Sequence, residues 1–384
     1  APSLNIKVMK LADRENLIKE AKNNDVVLVT YGVLVSEEEL MSQKNWSTVV
    51  LDEAHVIKNR DTKMAKACRS LQADFRVLLT GTPIQNNLSE IWSLFEFANP
   101  GLLGTFKQFT NRFIVPIERD QNKDTQRLLK RILSPFILRR TKSEVLDELP
   151  QKTDVTIKIQ LSEKERALYE HLRLETTTSL DLGEINPIQA LSALTKLRQA
   201  ACHPKLVDSK LNIESSKTER FLELVEDLQG NNHRALVFSQ FTSHLDLIKK
   251  ELDAKGISYL YLDGSMSANE RLRLVDNFQN GNQLLFLISL KAGGTGLNLT
   301  AADYVIHLDP WWNPAIESQA SDRAYRIGQQ RPVTIYRLIA ENTVEERIIE
   351  LHKTKKSLAD ALMEGADMAN KLSKDEILKL LTMA

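Results

Sequence analysis

The chain has 384 residues, 42% of them apolar and 27% charged, with 51 basic side chains against 51 acidic ones. That length calls for at least two lobes, and the balanced charge leaves any nucleic-acid surface to a local patch. No apolar run is long enough to span a membrane, no signal peptide opens the chain, and Cys68 and Cys202 lack metal-type spacing and read as buried thiols of a reducing compartment.

Residues 4–9 and 25–30 read as strands, with a charged helix expected over 14–22 between them. Thr30-Tyr31-Gly32 follows the second strand, and a polar helix is expected over 36–43. The apolar run Val49-Val50-Leu51 then ends abruptly in Asp52 and Glu53, the pattern of a buried parallel strand. In open α/β sheets the ligand sits beyond the carboxyl ends of the strands, so both acids stand where a ligand would be. Nucleotide hydrolysis uses such a pair: one carboxylate for Mg²⁺, usually through water, and a neighbouring base for the attacking water. A solvated acidic turn is the plain alternative. A helix near 62–70 and a strand over 75–79 follow, the strand ending in Thr80-Gly81-Thr82-Pro83. This alternation predicts a parallel sheet, a RecA-like half by pattern.

Residues 87–215 are mostly helical by period, with one apolar face at Trp92, Leu94, Phe95 and Phe97 and another at Phe106, Phe109 and Phe113. The basic cluster Arg139-Arg140-Thr141-Lys142 follows an apolar stretch. A strand is expected over 155–161, then two helices within 163–203 separated by a polar surface loop at 176–187. The hinge between lobes is expected at 209–218. Strands at 235–238, 259–262, 284–288, 304–308 and 334–338, with helices such as 242–254 and 268–277, make a second α/β lobe. The tail from Val344 reads as helical and charged.

With DEAH at 52–55, LTGTPIQN at 79–86, SPFILRRTKSEVLDELPQK at 134–152, LRQAACHPKL at 197–206, SLKAGGTGLNLTAADYVIHLDPWWNP at 289–314 and QASDRAYRIGQQRPV at 319–333, the chain resembles the Swi/Snf family of helicase-like ATPases that translocate on double-stranded DNA, within helicase superfamily two. The carboxyl half is similar to bacterial or archaeal members, which places the protein in the cytoplasm or nucleoid; a eukaryotic member would be nuclear. The resemblance implies an α/β fold of two RecA-like parallel-sheet lobes, the first incomplete, with a helical family-specific insertion and a helical carboxyl-terminal tail. The expected divisions are 1–87, 88–215, 216–343 and 344–384. ATP and Mg²⁺ are the implied cofactors, and double-stranded DNA the implied partner, contacted along its backbone with little sequence specificity. A protein target on DNA, such as a nucleosome, RNA polymerase or repair factor, is implied without being identifiable.

The resemblance also assigns residues. Asp52 helps hold Mg²⁺ and Glu53 is the catalytic base. His55 couples the nucleotide to the other lobe, unless it only makes a local hydrogen bond at a helix start. Thr80, Gly81 and Thr82 sense the γ-phosphate, and a helix N-cap reading of the same threonines is compatible. Gln319, Arg323 and Arg326, at spacings of four and three, line up on one helix face, with the two arginines as fingers and Gln319 at the nucleotide. Gly296 belongs to the glycine-rich run beside the nucleotide, and Lys291 of that run, with Ser239, Gln240, Gly264 and Ser265, lines the DNA path. Trp311 and Trp312 fit packing better than base stacking. The basic cluster at 139–142 contacts DNA, braces the lobes or forms a solvated turn.

One family motif is absent: no G-x-x-x-x-G-K-[ST] occurs in these residues. That loop supplies the backbone cradle and lysine for the β- and γ-phosphates. With no initiator methionine, the chain is expected to be a carboxyl-terminal portion, inactive by itself. The rival expectation is an ATP-independent adaptor or nucleic-acid-binding module derived from this fold; a strand-separating helicase is a third.

Overall fold

The computed structural model describes residues 3–9, 14–81, 88–140, 149–181, 187–290, 292 and 297–350. The described residues through Phe136 form one compact unit, and those from Ile137 a second.

In the first unit, strand β1 (Asn5–Val8) pairs in parallel with β2 (Asp25–Leu28) across the helix Arg14–Glu20. Strand β3 (Asn45–Leu51) pairs in parallel with β4 (Gln72–Leu78) across the helix Lys63–Ser70. Each is a strand–helix–strand crossover, as the alternation predicted. The single polar helix expected at 36–43 is instead two short ones, Tyr31–Ser36 and Glu38–Ser42. Thr30 caps the first by accepting from the Val33 N–H at 3.3 Å, which starts the helix earlier than its polarity suggests. Ile18, Leu34, Met41, Leu51, Ile57 and Phe97 pack in one core. Apolar side chains of the strands also reach solvent: Ile6 and Val8 on β1, Leu28 on β2, Val50 on β3, and Phe75 on β4, which is 63% exposed. The helices Leu88–Ala98 and Lys123–Leu133 follow, with a π-helical stretch, Thr110–Arg119, that accommodates Pro116.

In the second unit, six strands form one all-parallel sheet in the order β5-β10-β9-β6-β8-β7. They are β5 (Lys152–Ile159), β6 (Ala235–Ser239), β7 (Tyr259–Leu262), β8 (Leu285–Ser289), β9 (Tyr304–His307) and β10 (Val333–Ala340). Strands β6 and β8 are buried along their whole length. Alternate side chains feed two cores: Ala235 and Val237 pack with Leu245 and Ile248, while Leu236 and Phe238 pack with Phe278 and Phe286.

Three expectations change. Residues 152–159, grouped by sequence with the helical segment, are the edge strand of this sheet, hydrogen-bonded to β10 along its length. The loop expected at 176–187 is helical through Asp181, since the first helix runs Glu163–Asp181 and the next starts at Pro187. The hinge expected at 209–218 lies inside the second unit. There Ser215 caps the helix Ser216–Gly230, and Lys217 makes a buried ion pair with Glu345 at 2.6 Å. Of the tail, residues 344–350 are helical, and the rest lies outside the described residues.

Candidate functional site

In the first unit the site grows from the end of β3. The Leu79 N–H donates to Leu51 O at 2.9 Å and the Ala54 N–H donates to Leu79 O at 3.0 Å, so the chain leaving β3 is tied to the end of β4. Between those bonds stand Asp52, exposed, and Glu53, half-buried. Glu53 has φ 50° and ψ 47°, the left-handed region, which costs a side chain other than glycine about 1 kcal/mol or more. The surroundings hold it there. Asp52 Oδ1 accepts the Glu53 N–H at 2.9 Å, and the Tyr31 hydroxyl donates to Asp52 O at 2.8 Å. Burial raises the Tyr31 phenol, keeping it a donor. The 3-10 turn Ala54–Ile57 that follows is anchored by Ser93, whose hydroxyl donates to Ile57 O at 2.7 Å. His55 Nδ1 lies 3.3 Å from Glu53 Oε2. The strained turn therefore presents two carboxylates and an imidazole at the carboxyl end of a parallel strand, and the carboxylates are oxygen donors of the kind that suit Mg²⁺.

Thr80 is half-buried and Gly81 exposed, directly after the tie between the strands. Among the described residues, a Cβ at Gly81 would meet nothing within 4 Å. Thr82 lies outside the described residues. A cavity of about 250 Å³ opens between β2 and β3 and reaches Asp52. Its lining of Val27, Val29, Leu34, Val49 and Leu51 is too apolar to cradle phosphates.

In the second unit the sheet reverses its winding at β6, which lies between β9 and β8. Ser239 and Gln240, at the carboxyl end of β6, meet Asp309 beyond β9. The Ser239 hydroxyl donates to Asp309 Oδ1, and the Gln240 N–H donates to Oδ2 at 3.3 Å. Ser239 is 1% exposed, and its hydroxyl is bonded to Asp309, which braces two strand ends. Gln240 is half-buried. Gly264 and Ser265, beyond β7, are exposed, and Asp263 Oδ1 accepts both the N–H and the hydroxyl of Ser265, at 2.9 and 2.6 Å. Those bonds hold the Asp263 carboxyl below its ordinary range. Lys291 and Gly296 lie outside the described residues. Arg139 and Arg140 are exposed.

The helix expected to carry Gln319, Arg323 and Arg326 is shorter than their spacing implies. It spans Pro314–Ser321, with Asn313 as cap, and so contains Gln319 alone. Arg323 and Arg326 follow in turns; Arg323 is 1% exposed and Arg326 half-buried. Gly328 takes φ +100°, which reverses the chain. Gln329 then spends its amide on its own neighbourhood: Nε2 donates to Ala302 O at 2.8 Å and Ala324 O at 3.0 Å, and Oε1 accepts from the N–H groups of Gln330 and Arg331. Sequence reasoning gave Gln329 no role, although a glutamine after Arg-Ile-Gly was the available signal.

Sequence reasoning also overlooked Arg198. Its Nη2 donates to Pro310 O at 2.7 Å, and its guanidinium lies over Trp312, Trp311 and Phe241 at 4.6, 5.6 and 5.7 Å from the ring centroids. The tryptophans thus pack around a buried cation. Cys202, His244 and Asp309 have ligand-type atoms within 4.8 Å of one another. Asp309 is the one carboxylate among them, and the Arg198 guanidinium and Lys217 ammonium already act on its charge, so the group reads as part of an internal ion network.

Residues 1–206 match the family described as SNF2-related domain, and residues 216–328 the one described as Helicase conserved C-terminal domain. The chain is 40% identical over 374 residues to YwqA of Bacillus subtilis, named for an ATP-dependent helicase/translocase, covering 94% of this chain and 40% of that protein. It is 34% identical over 375 residues to human SWI/SNF-related matrix-associated actin-dependent regulator of chromatin subfamily A member 1, covering 93% and 36%. Among solved structures, the Sulfolobus solfataricus SWI2/SNF2 ATPase core in complex with dsDNA matches with TM-score 0.50 and 34% identity, covering 99% of this chain and 81% of that one. The chain spans well under half the length of these curated relatives.

Proposed function

The chain belongs to the SNF2-related family of helicase-like ATPases, and from that we propose that it is the catalytic core of an enzyme that hydrolyses ATP to move along double-stranded DNA and remodel protein–DNA complexes without separating strands. The observation that carries the proposal is the turn at 52–55, where the surrounding bonds hold Glu53 in a strained conformation beside Asp52. Such strain gathers at functional sites. Glu53 takes the proton of the attacking water, and His55, 3.3 Å away, orients that carboxylate. Asp52 holds Mg²⁺, which when bound offsets charge on the transferring phosphoryl group. Arg323 and Arg326 stabilise charge on the transition state, and Gln319 binds the nucleotide. Gly264, Ser265 and Gln240, at the carboxyl ends of β7 and β6, face the DNA backbone, with Lys291 as a further contact. Likeness to a SNF2 core in complex with dsDNA supports duplex DNA as the partner.

These 384 residues contain no phosphate-binding loop of the G-x-x-x-x-G-K-[ST] type. The test is steady-state ATP hydrolysis with and without duplex DNA, on this chain and on the natural full-length protein. DNA-stimulated turnover in the full-length protein alone is the expected result. DNA binding without hydrolysis in either refutes the enzyme and leaves an adaptor.

A further inference from the structure

Glu317 stands on the helix Pro314–Ser321, two positions before Gln319, and is 1% exposed. One carboxylate oxygen accepts the Trp311 N–H at 2.6 Å; the other accepts Arg337 Nε at 3.1 Å. Arg337 belongs to β10, and its Nη1 donates to Asp154 Oδ1 on β5 at 2.7 Å. The other charged groups that act on this carboxylate are Asp309, beyond β9, and Arg198 of the helix Pro187–Cys202. Burial pushes the Glu317 carboxyl up to about 7, opposed by the Trp311 N–H and the Arg337 guanidinium.

The two partners of Glu317 come from different places. The Trp311 amide lies in the segment that enters the helix, and the Arg337 guanidinium rises from the sheet beneath it. A carboxylate held at both points fixes the rotation of the helix and its height above the sheet. At the next turn of the helix, the Ser321 hydroxyl accepts from His307 Nε2 at 2.8 Å and donates to Glu317 O at 3.0 Å. Arg323 follows directly, so any roll of the helix moves both arginines. Resting on the finger assignment proposed above, we infer that Glu317 is a positioning residue for Arg323 and Arg326, acting through Arg337 and the Trp311 amide. The inference goes beyond ATP hydrolysis by naming what aligns the fingers.

The test uses DNA-stimulated ATP hydrolysis by the natural full-length protein. Glu317→Gln keeps the shape and can accept from Trp311, but turns an amide donor toward the Arg337 donors. The expected result is a fall in kcat of roughly 10- to 100-fold, the scale of an ångström-sized misplacement. KM for ATP and affinity for DNA stay within about 2-fold, because ground-state binding is not what is lost. Arg337→Lys, which keeps the charge and loses the fork, gives the same split, and decides alone if Glu317→Gln does not fold. Unchanged kcat, or a rise in KM alone, overturns the inference. Arg323→Ala separates it from the reading on which it rests. If Arg323→Ala abolishes turnover while Glu317→Gln is normal, only the positioning role fails. If Arg323→Ala and Arg326→Ala both turn over normally, the finger assignment itself fails.

Discussion

Removing one member of the Lys217–Glu345 pair should cost far more than removing both. Each side chain is 1% exposed, Nζ lies 2.6 Å from Oε2, and the same carboxylate oxygen accepts the Ala340 N–H at 2.8 Å. Burial opposes the Lys217 charge, and the Glu345 carboxylate more than offsets that opposition. Glu345→Ala therefore leaves an ammonium in the core, at a cost of about 3–5 kcal/mol. At about 2–4 °C per kcal/mol for a unit of this size, the melting temperature falls by roughly 10 °C. Lys217→Met combined with Glu345→Leu removes both charges and should recover most of that loss, because desolvation is removed with the attraction. The pH slopes of the two single variants should be opposite. In Glu345→Ala the buried lysine titrates below its unfolded value of about 10.4, so the unfolded state binds more protons and stability rises with pH. In Lys217→Met the buried carboxyl titrates above about 4.3, so the folded state binds more protons and stability falls as pH rises. Thermal melts monitored by circular dichroism across pH measure both. A double variant as unstable as the worse single, or parallel pH slopes, would refute the reasoning.

In the full-length protein, Glu53→Gln should retain ATP binding and lose turnover by about 10²- to 10⁴-fold, the usual contribution of a general base; single-turnover kinetics check it, and near-normal cycling would assign the base elsewhere. Arg323→Ala and Arg326→Ala should each lower DNA-stimulated kcat by up to about 10³-fold or more, as arginine fingers do. Affinity for duplex DNA should fall steeply with salt and hardly with sequence, read from binding isotherms at several ionic strengths; a salt-independent affinity would contradict backbone contact. Gln329→Ala should destabilise the second unit by about 2–4 kcal/mol, through several lost hydrogen bonds at about 1 kcal/mol each, measured by denaturant unfolding.

The second sheet was largely legible. Runs such as Ala235–Ser239 and Leu285–Ser289 are apolar on both faces, which only a central parallel strand tolerates. The acids after β3 were legible because polarity changes sharply at Leu51. What escaped was set by contacts distant in sequence. Nothing local in 152–159 says that its partner is β10, and nothing local in the Arg-x-x-Arg spacing says that the helix stops at Ser321. Beyond that stop, Gln329 bonds carbonyls of residues 302 and 324. Ser239 was placed on the DNA path by resemblance alone; its bond to Asp309, seventy residues on, could not be read from the sequence. Glu317 and Arg198 escaped for the same reason, since a charged residue in an otherwise ordinary helix carries no sign of being buried.

The pairing of β5 with β10 also orders the birth of this protein. The two strands lie about 180 residues apart, so on a ribosome adding about 5–20 residues per second β5 waits roughly 10–40 s for its neighbour. Through that interval it is an unpaired edge, the kind of strand that recruits other chains. Its sequence is suited to the wait. Lys152, Asp154 and Lys158 alternate with Val155, Ile157 and Ile159, so any wrongly paired partner would have to bury or crowd charge along one whole side.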